Sequence, residues 1–379
     1  MFDRIEALCS LPDAFTQAPE LNRLFLDAMR ENFTRQYEKQ SYIRFLSDKS
    51  ALLPDDLKDP ADVFRLPHLF VGILKVHRFC SVEDSEIVLV LTSSGTAGQK
   101  TQLLFDAPSL QRLQTLSKTV FRDLAFTSDL PAHYLIFGYD RRHAKEVGTS
   151  WSDEQIQAQA PTRSEHWLIP WDDKRGEYLF DAVQTARLLI DLAPEGPIRL
   201  LGFPAFMHQM IEEVRKLKPG LKVHPASFIV AGGGWKNHAG TPMTQIEFAR
   251  YVEAAIGLPS GNVRDVFGMA EHGIPYGACS AGHHHVPAFG RLLVRDPLSL
   301  KPLPRGREGL LHLYTPYNTA QPNLSILSTD LAVLQEGCPC GLPGDYIASI
   351  RRGGTRKHKG CAIQAQEILD RSKKHEARS

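Results

Sequence analysis

The residues best equipped for chemistry begin at Thr92-Ser93-Ser94-Gly95-Thr96-Ala97-Gly98-Gln99-Lys100. Four hydroxyls supply donors, two glycines let backbone N–H groups turn inward, and Lys100 adds a point charge; together they make a cradle for phosphate oxygens. A Walker loop has four residues between its glycines and opens a helix. Here only Thr96 and Ala97 separate Gly95 from Gly98, and the residues that follow are of strand type. An ordinary polar hairpin turn would need neither the hydroxyls nor the lysine. Further on, Ala231-Gly232-Gly233-Gly234-Trp235 lacks every Cβ that would keep a flat ring off the backbone. Cys279, the run His283-His284-His285 and Cys338-Pro339-Cys340 offer thiolates and imidazoles in two pairs, a donor set that suits tetrahedral Zn²⁺. His283 could replace His285, and buried cysteines beside a surface histidine run would need no metal. Cys361 follows six basic residues in ten positions, Arg351, Arg352, Arg356, Lys357, His358 and Lys359. Such a flank favours thiolate over thiol, although a solvated basic tail would look the same.

These groups need elements to position them. Glu86–Leu91 and Thr101–Phe105 are of strand length and rich in branched or aromatic residues, so the hydroxyl-rich loop is held at both ends. Residues 1 to about 50 read as helical. Pro108 opens a helix with Leu110, Leu113, Leu116, Val120 and Leu124 on one face. Strand-like Tyr134–Gly138, Ile198–Gly202 and Ser227–Ala231 alternate with helical patterns over Leu179–Leu192, from Pro204 to Val214, and near 243–256. That alternation predicts a mostly parallel sheet flanked by helices, with ligands beyond the carboxyl ends of its strands. On that rim lie Gly202–Pro204, Gly232–Trp235 and Phe267-Gly268. After about 285 the strands shorten and are separated by Pro and Gly turns, as in an antiparallel subdomain.

Thr92–Lys100 resembles the Thr/Ser-Ser-Gly-Thr-x-Gly phosphate loop of the adenylate-forming enzymes, which activate carboxylic acids with ATP. The branches it is most similar to are the acyl-protein synthetases of bacterial bioluminescence and the phenylacetate-CoA ligases. The resemblance runs by motif order from about 60 to 363. It implies an α/β fold: a large adenylate-forming domain with mostly parallel sheets, a small β subdomain and a truncated C-terminal segment. The expected division is 1–60 (N-terminal helical segment), 61–345 (core, with the β subdomain from about 285) and 346–379 (hinge and short tail).

Carried over residue by residue, the resemblance implies that Thr92, Ser93, Ser94, Gly95, Thr96, Gly98 and Lys100 hold phosphate. Gly233 and Gly234 would line one face of adenine and Phe267 the other, within the motif Phe267-Gly268-Met269-Ala270-Glu271. Asp265 would take the exocyclic amine, and Glu271 would help hold Mg²⁺ on the phosphates, as a hard cation on triphosphate requires. Ser328-Thr329-Asp330 resembles the motif whose aspartate accepts from the ribose hydroxyls, with Thr329 where glycine is usual. Arg351 would open the hinge, where Gly353 and Gly354 replace an acidic pair. Phenylacetate-CoA ligase relatives show a similar Cys/His pattern, and on that match Cys279, His285, Cys338 and Cys340 are the structural Zn²⁺ ligands. Only 16 residues follow Ile363, where relatives add a CoA-handling domain of about a hundred. Lys359–Ile363 resembles the acyl-acceptor region of the bioluminescence enzymes, making Cys361 the expected acceptor.

The expected function is therefore ATP-dependent activation of a fatty or aromatic acid, with transfer to Cys361 and then to a reductase or carrier protein. An apolar acyl pocket is expected around Phe203, Phe206, Met269 and Ala270. A shortened CoA ligase and a non-catalytic, zinc-stabilised nucleotide-binding protein remain open as alternatives. Lys plus Arg number 44 against 43 acids among 379 residues, so no global field points to nucleic acid. The charged N-terminus excludes a signal peptide and no apolar run approaches ~18 residues, so no membrane span and a cytoplasmic location are expected.

Overall fold

The computed structural model describes residues 2–92, 101–139, 155–232 and 243–353. The chain begins with helices α1 (Asp3–Cys9), α2 (Pro19–Lys39) and α3 (Ser41–Ser50). Strands β1 (Leu69–Phe70), β2 (Ile87–Thr92) and β3 (Gln102–Asp106) follow, then α4 (Ala107–Asp123). Next come β4 (Ala132–Tyr139), β5 (Thr162–Ile169), the short pair β6 (Trp171–Asp172) and β7 (Glu177–Tyr178), and α5 (Ala182–Leu192). β8 (Ile198–Gly202), α6 (Pro204–Leu217), β9 (Phe228–Ala231), α7 (Gln245–Ile256) and β10 (Val263–Phe267) complete the strand–helix alternation. The remaining strands are β11 (Tyr276–Gly277), β12 (His284–His285), β13 (Arg291–Arg295), β14 (Glu308–Tyr314), β15 (Ser325–Glu336) and β16 (Asp345–Arg352).

The described residues fold into two compact units: one takes in residues up to 123, 268–276 and 283–353, the other 124–267 and 277–282. The boundaries expected near 60 and 345 do not divide them, for reasons that are local. Polar Asn32 and Gln36 lie fully buried within the apolar stripe of α2, where Asn32 donates to the Pro316 and Asn318 carbonyls and Gln36 to that of Thr319. The N-terminal helices are thereby fastened to the antiparallel region. The segment from 346, expected to open a hinge, is strand β16, paired with β15 from Glu336↔Asp345 to Asp330↔Arg352.

In the first unit the sheet order is β12-β16-β15-β14-β13, antiparallel, with β1 parallel to β15; β2 and β3 form a separate hairpin. Asp106, ending β3, accepts from Ser109 N–H and so starts α4. In the second unit the strands run parallel in the order β10-β9-β8-β4-β5. Leu135, Phe137, Leu200 and Ile229 pack with Phe206, Met210, Ala186, Leu189 and Val252 from the helices in a single core. The expected parallel sheet is this one. Gly202 ends β8 at φ +115°, and a Cβ there would lie 2.4 Å from the Phe137 carbonyl oxygen, so only glycine lets the chain turn at this rim. α7 opens on a capping box: Glu247 N–H donates to Thr244 Oγ1, and Thr244 N–H donates to Glu247.

Candidate functional site

In the first unit the ladder of the β2–β3 hairpin ends on the pair Thr92↔Gln102, which brings the two ends of the hydroxyl-rich loop together. Ser93, Ser94, Gly95, Thr96, Gly98 and Lys100 lie outside the described residues, as do Gly233, Gly234 and Cys361. Directly after the loop, Thr101 is completely buried, and its hydroxyl stands beside the Glu271 carboxyl.

Glu271 sits in a tight turn in which His272 and Gly273 N–H both donate to the Met269 carbonyl. It is buried, at 6% exposure. Burial raises its pKa above the ordinary carboxyl value; its own backbone N–H, the Thr101 hydroxyl and the Lys75 cation oppose that rise, and the nearby Asp330 adds to it. Burial and the second acid outweigh the Lys75 cation, so this carboxylate would gain from further positive charge. That donor set fits a hard divalent cation, which would take one or two such carboxylates together with phosphate oxygens.

Gly273 follows at φ +87°, and a Cβ there would come 1.9 Å from Tyr317 Oη. The turn is therefore pressed against the irregular run that precedes β15, all of it buried from Thr315 to Leu324. Asp330 is not in a connecting turn: it lies within β15 opposite Arg352, half-buried, with its N–H donated to Ser328 Oγ. Arg351 is likewise inside a strand, exposed, and held by Glu308 at 2.8 and 2.5 Å.

In the second unit a cavity of about 180 Å³ opens beyond the carboxyl ends of β8 and β9. Gly232 and Asp265 contribute polar edges, while Pro204, Ala231, Met243 and Phe248 supply apolar walls. Asp265 lies in β10 in register with Ala231 and accepts from Val266 N–H at 2.8 Å. Phe267, Met269 and Ala270 are half-buried and Gly268 is exposed. Phe206 is completely buried in the core, whereas Phe203 is only partly buried at its edge. Of the expected acyl-pocket aromatics, Phe206 is thus a packing residue.

In the first unit His285, Cys338 and Cys340 offer one ligand atom each, all within 4.8 Å of one another, while Cys279, the fourth expected ligand, is a buried residue of the second unit. Two local features bring the first three to this spacing. His285 belongs to β12, paired with β16 through His285↔Tyr346, and Cys338-Pro339-Cys340 is the connection from β15 to β16. His285 Nε2 lies 3.3 Å from Cys340 Sγ, and His283 Nδ1 lies 3.2 Å from Cys338 Sγ outside that group. Two thiols and an imidazole at this distance supply three of the four donors that a tetrahedral Zn²⁺ takes.

The family model described as acyl-protein synthetase, LuxE, matches residues 10–370. The chain belongs to this family. It is 25% identical over 372 residues to a long-chain-fatty-acid–luciferin-component ligase of Aliivibrio fischeri, covering 95% of this chain and 91% of that protein. To the corresponding Vibrio harveyi ligase it is 24% identical, covering 81% and 79%. The fold is that of 2-hydroxyisobutyryl-CoA ligase. The structure of that ligase with 2-HIB-AMP and CoA in the thioesterification state gives a TM-score of 0.66 at 19% identity, covering 90% of this chain and 70% of the other. Its postadenylation state gives 0.62, covering 88% and 67%. As an acyl-protein synthetase, the chain is a ligase that forms an acyl-adenylate with ATP and passes the acyl group on.

Sequence reasoning passed over Thr101, Gly273, Asn318, Gln321 and Asn323, all of which hold the first-unit site together. The available signal was a cluster of amides, Asn318, Gln321 and Asn323, around Pro322 directly before a strand.

Proposed function

We propose that this acyl-protein synthetase activates a long-chain fatty acid and carries the acyl group on Cys361. In the first step the acid's carboxylate oxygen attacks the α-phosphorus of ATP; an acyl–phosphate anhydride forms and pyrophosphate leaves. The hairpin loop with Lys100 would bear the charge developing on pyrophosphate, and Glu271 would hold the Mg²⁺ that neutralises it. Asp265 and the cavity beside it would take the adenine, and Asp330 the ribose. In the second step the Cys361 thiolate attacks the acyl carbonyl, a C–S bond forms and AMP departs.

A tally of the cysteines carries this reading. Cys338 and Cys340 stand together with His285 as metal donors, and buried Cys279 is read as their fourth partner. Burial pushes the Cys9 thiol up to about 12, with Arg112 pulling the other way, and Cys80 donates its thiol to the Val82 carbonyl. Of the six cysteines in the sequence, that leaves Cys361, with six cationic residues in the ten positions before Gly360, as the one whose neighbours favour thiolate. The fatty-acid assignment rests on the names of the two curated relatives, and the partner that consumes the thioester would be an acyl-accepting reductase or carrier protein.

The test pairs ATP–pyrophosphate exchange, across fatty and aromatic acids, with acyl labelling of denatured protein. Cys361→Ala is expected to keep exchange and lose hydroxylamine-labile label. A variant labelled as fully as wild type would move the acceptor elsewhere. A wild type that is never labelled but makes acyl-CoA would be a CoA ligase.

A further inference from the structure

The β3 strand has two hydrogen-bonding edges, and β2 occupies only one. On the other edge no strand is paired among the described residues; side-chain amides take its place. Gln321 accepts from Leu104 N–H at 3.2 Å and donates to the Gln102 carbonyl at 3.1 Å, while Asn318 donates to the Leu104 carbonyl at 3.2 Å. A side-chain amide carries a donor and an acceptor, as a peptide unit does, so Gln321 grips residues i and i−2 as a neighbouring strand would. Two residues further on, Asn323 donates to the Glu271 carbonyl at 2.9 Å, and its own N–H is bonded to the Gln321 carbonyl at 2.9 Å. Asn318, Gln321 and Asn323 are 0–2% exposed, so water cannot replace them.

We propose that Gln321 and Asn323 are positioning residues for MgATP: one buried run sets the stem of the phosphate hairpin and the Glu271 turn at a fixed spacing. The proposal rests on the reading of the hairpin loop and Glu271 as the triphosphate site. Neither amide would need to touch nucleotide. Each acts on backbone that carries a group which does, Gln321 through Gln102, two residues after Lys100, and Asn323 through Glu271 itself. Loop donors and a metal-holding carboxylate must meet the same phosphates, and displacement by about 1 Å is enough to cost ~10²-fold in rate.

The experiment uses the full chain with Asn323→Leu and Gln321→Met. Thr315→Val serves as a comparator, because Thr315 is equally buried and its hydroxyl donates to the Phe289 carbonyl at 3.1 Å rather than to the hairpin stem or the Glu271 turn. MgATP affinity is measured by calorimetry without the acid, KM for MgATP by pyrophosphate exchange, and folding by thermal unfolding. The two amide variants are expected to weaken MgATP binding and raise KM by ~10-fold or more, with Thr315→Val unchanged in both, since the loss is geometric and specific to this site. Asn323→Leu combined with Glu271→Gln is expected to be no slower than Glu271→Gln alone. Should Asn323→Leu fail to fold, Asn323→Ser, whose hydroxyl is too short to reach the carbonyl, is read in its place. MgATP binding that follows thermal stability equally in all three variants overturns the proposal. So does a double variant whose defects simply multiply. If Glu271→Gln alone exchanges at the wild-type rate, the metal assignment has failed; if Glu271→Gln is impaired and Asn323→Leu is not, the positioning role alone has failed.

Discussion

Glu271 shows how much a single residue's surroundings decide. A glutamate after an aromatic–glycine pair is ordinary in sequence, and only the turn that buries it makes its carboxylate short of positive charge. Removing that charge while keeping the shape, as in Glu271→Gln, is expected to lower pyrophosphate exchange by ~10² or more, the scale of one strong electrostatic contact in a site. Exchange near the wild-type rate would reject it as the metal-holding group. The cysteines were legible in the same way, by type: thiols and imidazoles are few, and their chemistry narrows their roles. Gln321 and Asn323 were not, because amides abound on surfaces and reveal their work only when the backbone groups they satisfy are known. Phe206 was misleading for the opposite reason. An aromatic near a rim suggests a pocket wall, but helical spacing from Pro204 turned this one into the core.

At the scale of elements, legibility followed burial. β8 and β9 are buried along their length and sit between neighbours in the sheet, so their apolar runs stood out; β5, at the sheet's end, carries Arg163, Ser164, Glu165 and His166 and gave no such signal. β15 is hard to follow in sequence, because Ser328-Thr329-Asp330 interrupts its apolar pattern although the ladder runs through it. The cap of α7 leads to an expectation of its own. Thr244→Ala removes the acceptor for Glu247 N–H and should lower stability by about 1 kcal/mol, read from chemical denaturation. An unchanged midpoint would mean that another group caps the helix.

The antiparallel sheet yields a pH dependence. His312, completely buried on β14, accepts from Arg295 Nε on β13 at 2.7 Å through Nδ1, and its Nε2 lies 3.0 Å from Ser325 Oγ on β15. Arginine can only donate, so Nδ1 is unprotonated and the ring is neutral. Burial first, then the Arg295 and His68 charges, hold its pKa well below 6.5. The unfolded chain therefore takes a proton that the folded chain refuses. Stability is fully present above pH ~6.5 and falls below it, by up to ~1.4 kcal/mol per pH unit for one such group. The thermal midpoint should drop between about pH 7 and pH 5, more steeply in wild type than in His312→Asn. Equal slopes would assign the acid sensitivity to other groups.

Over the whole molecule, the features that place the first-unit site are long in sequence and short in space. Asn32 on α2 reaches Pro316, Asn318 reaches Leu104, and the connection from β15 to β16 brings Cys338 and Cys340 to His285. Such closures are invisible to local pattern, whereas the strand–helix alternation is not. The Cys/His group is the closure whose removal is easiest to measure. β12 is two residues long, too short for its ladder to fix its place on β16, and a metal joining His285 to Cys338 and Cys340 would tie the two strands together. Protein purified without added metal is expected to contain one zinc per chain. Cys340→Ser, or exhaustive chelation, should remove the ion and lower the thermal midpoint on the order of 10 °C, as the loss of several kcal/mol of metal-linked folding energy would do. Because all four ligands come from protein, adding zinc back to chelated wild type should restore stability without altering KM for MgATP. Folded, metal-free protein with an unchanged midpoint would make these residues a buried thiol cluster and nothing more.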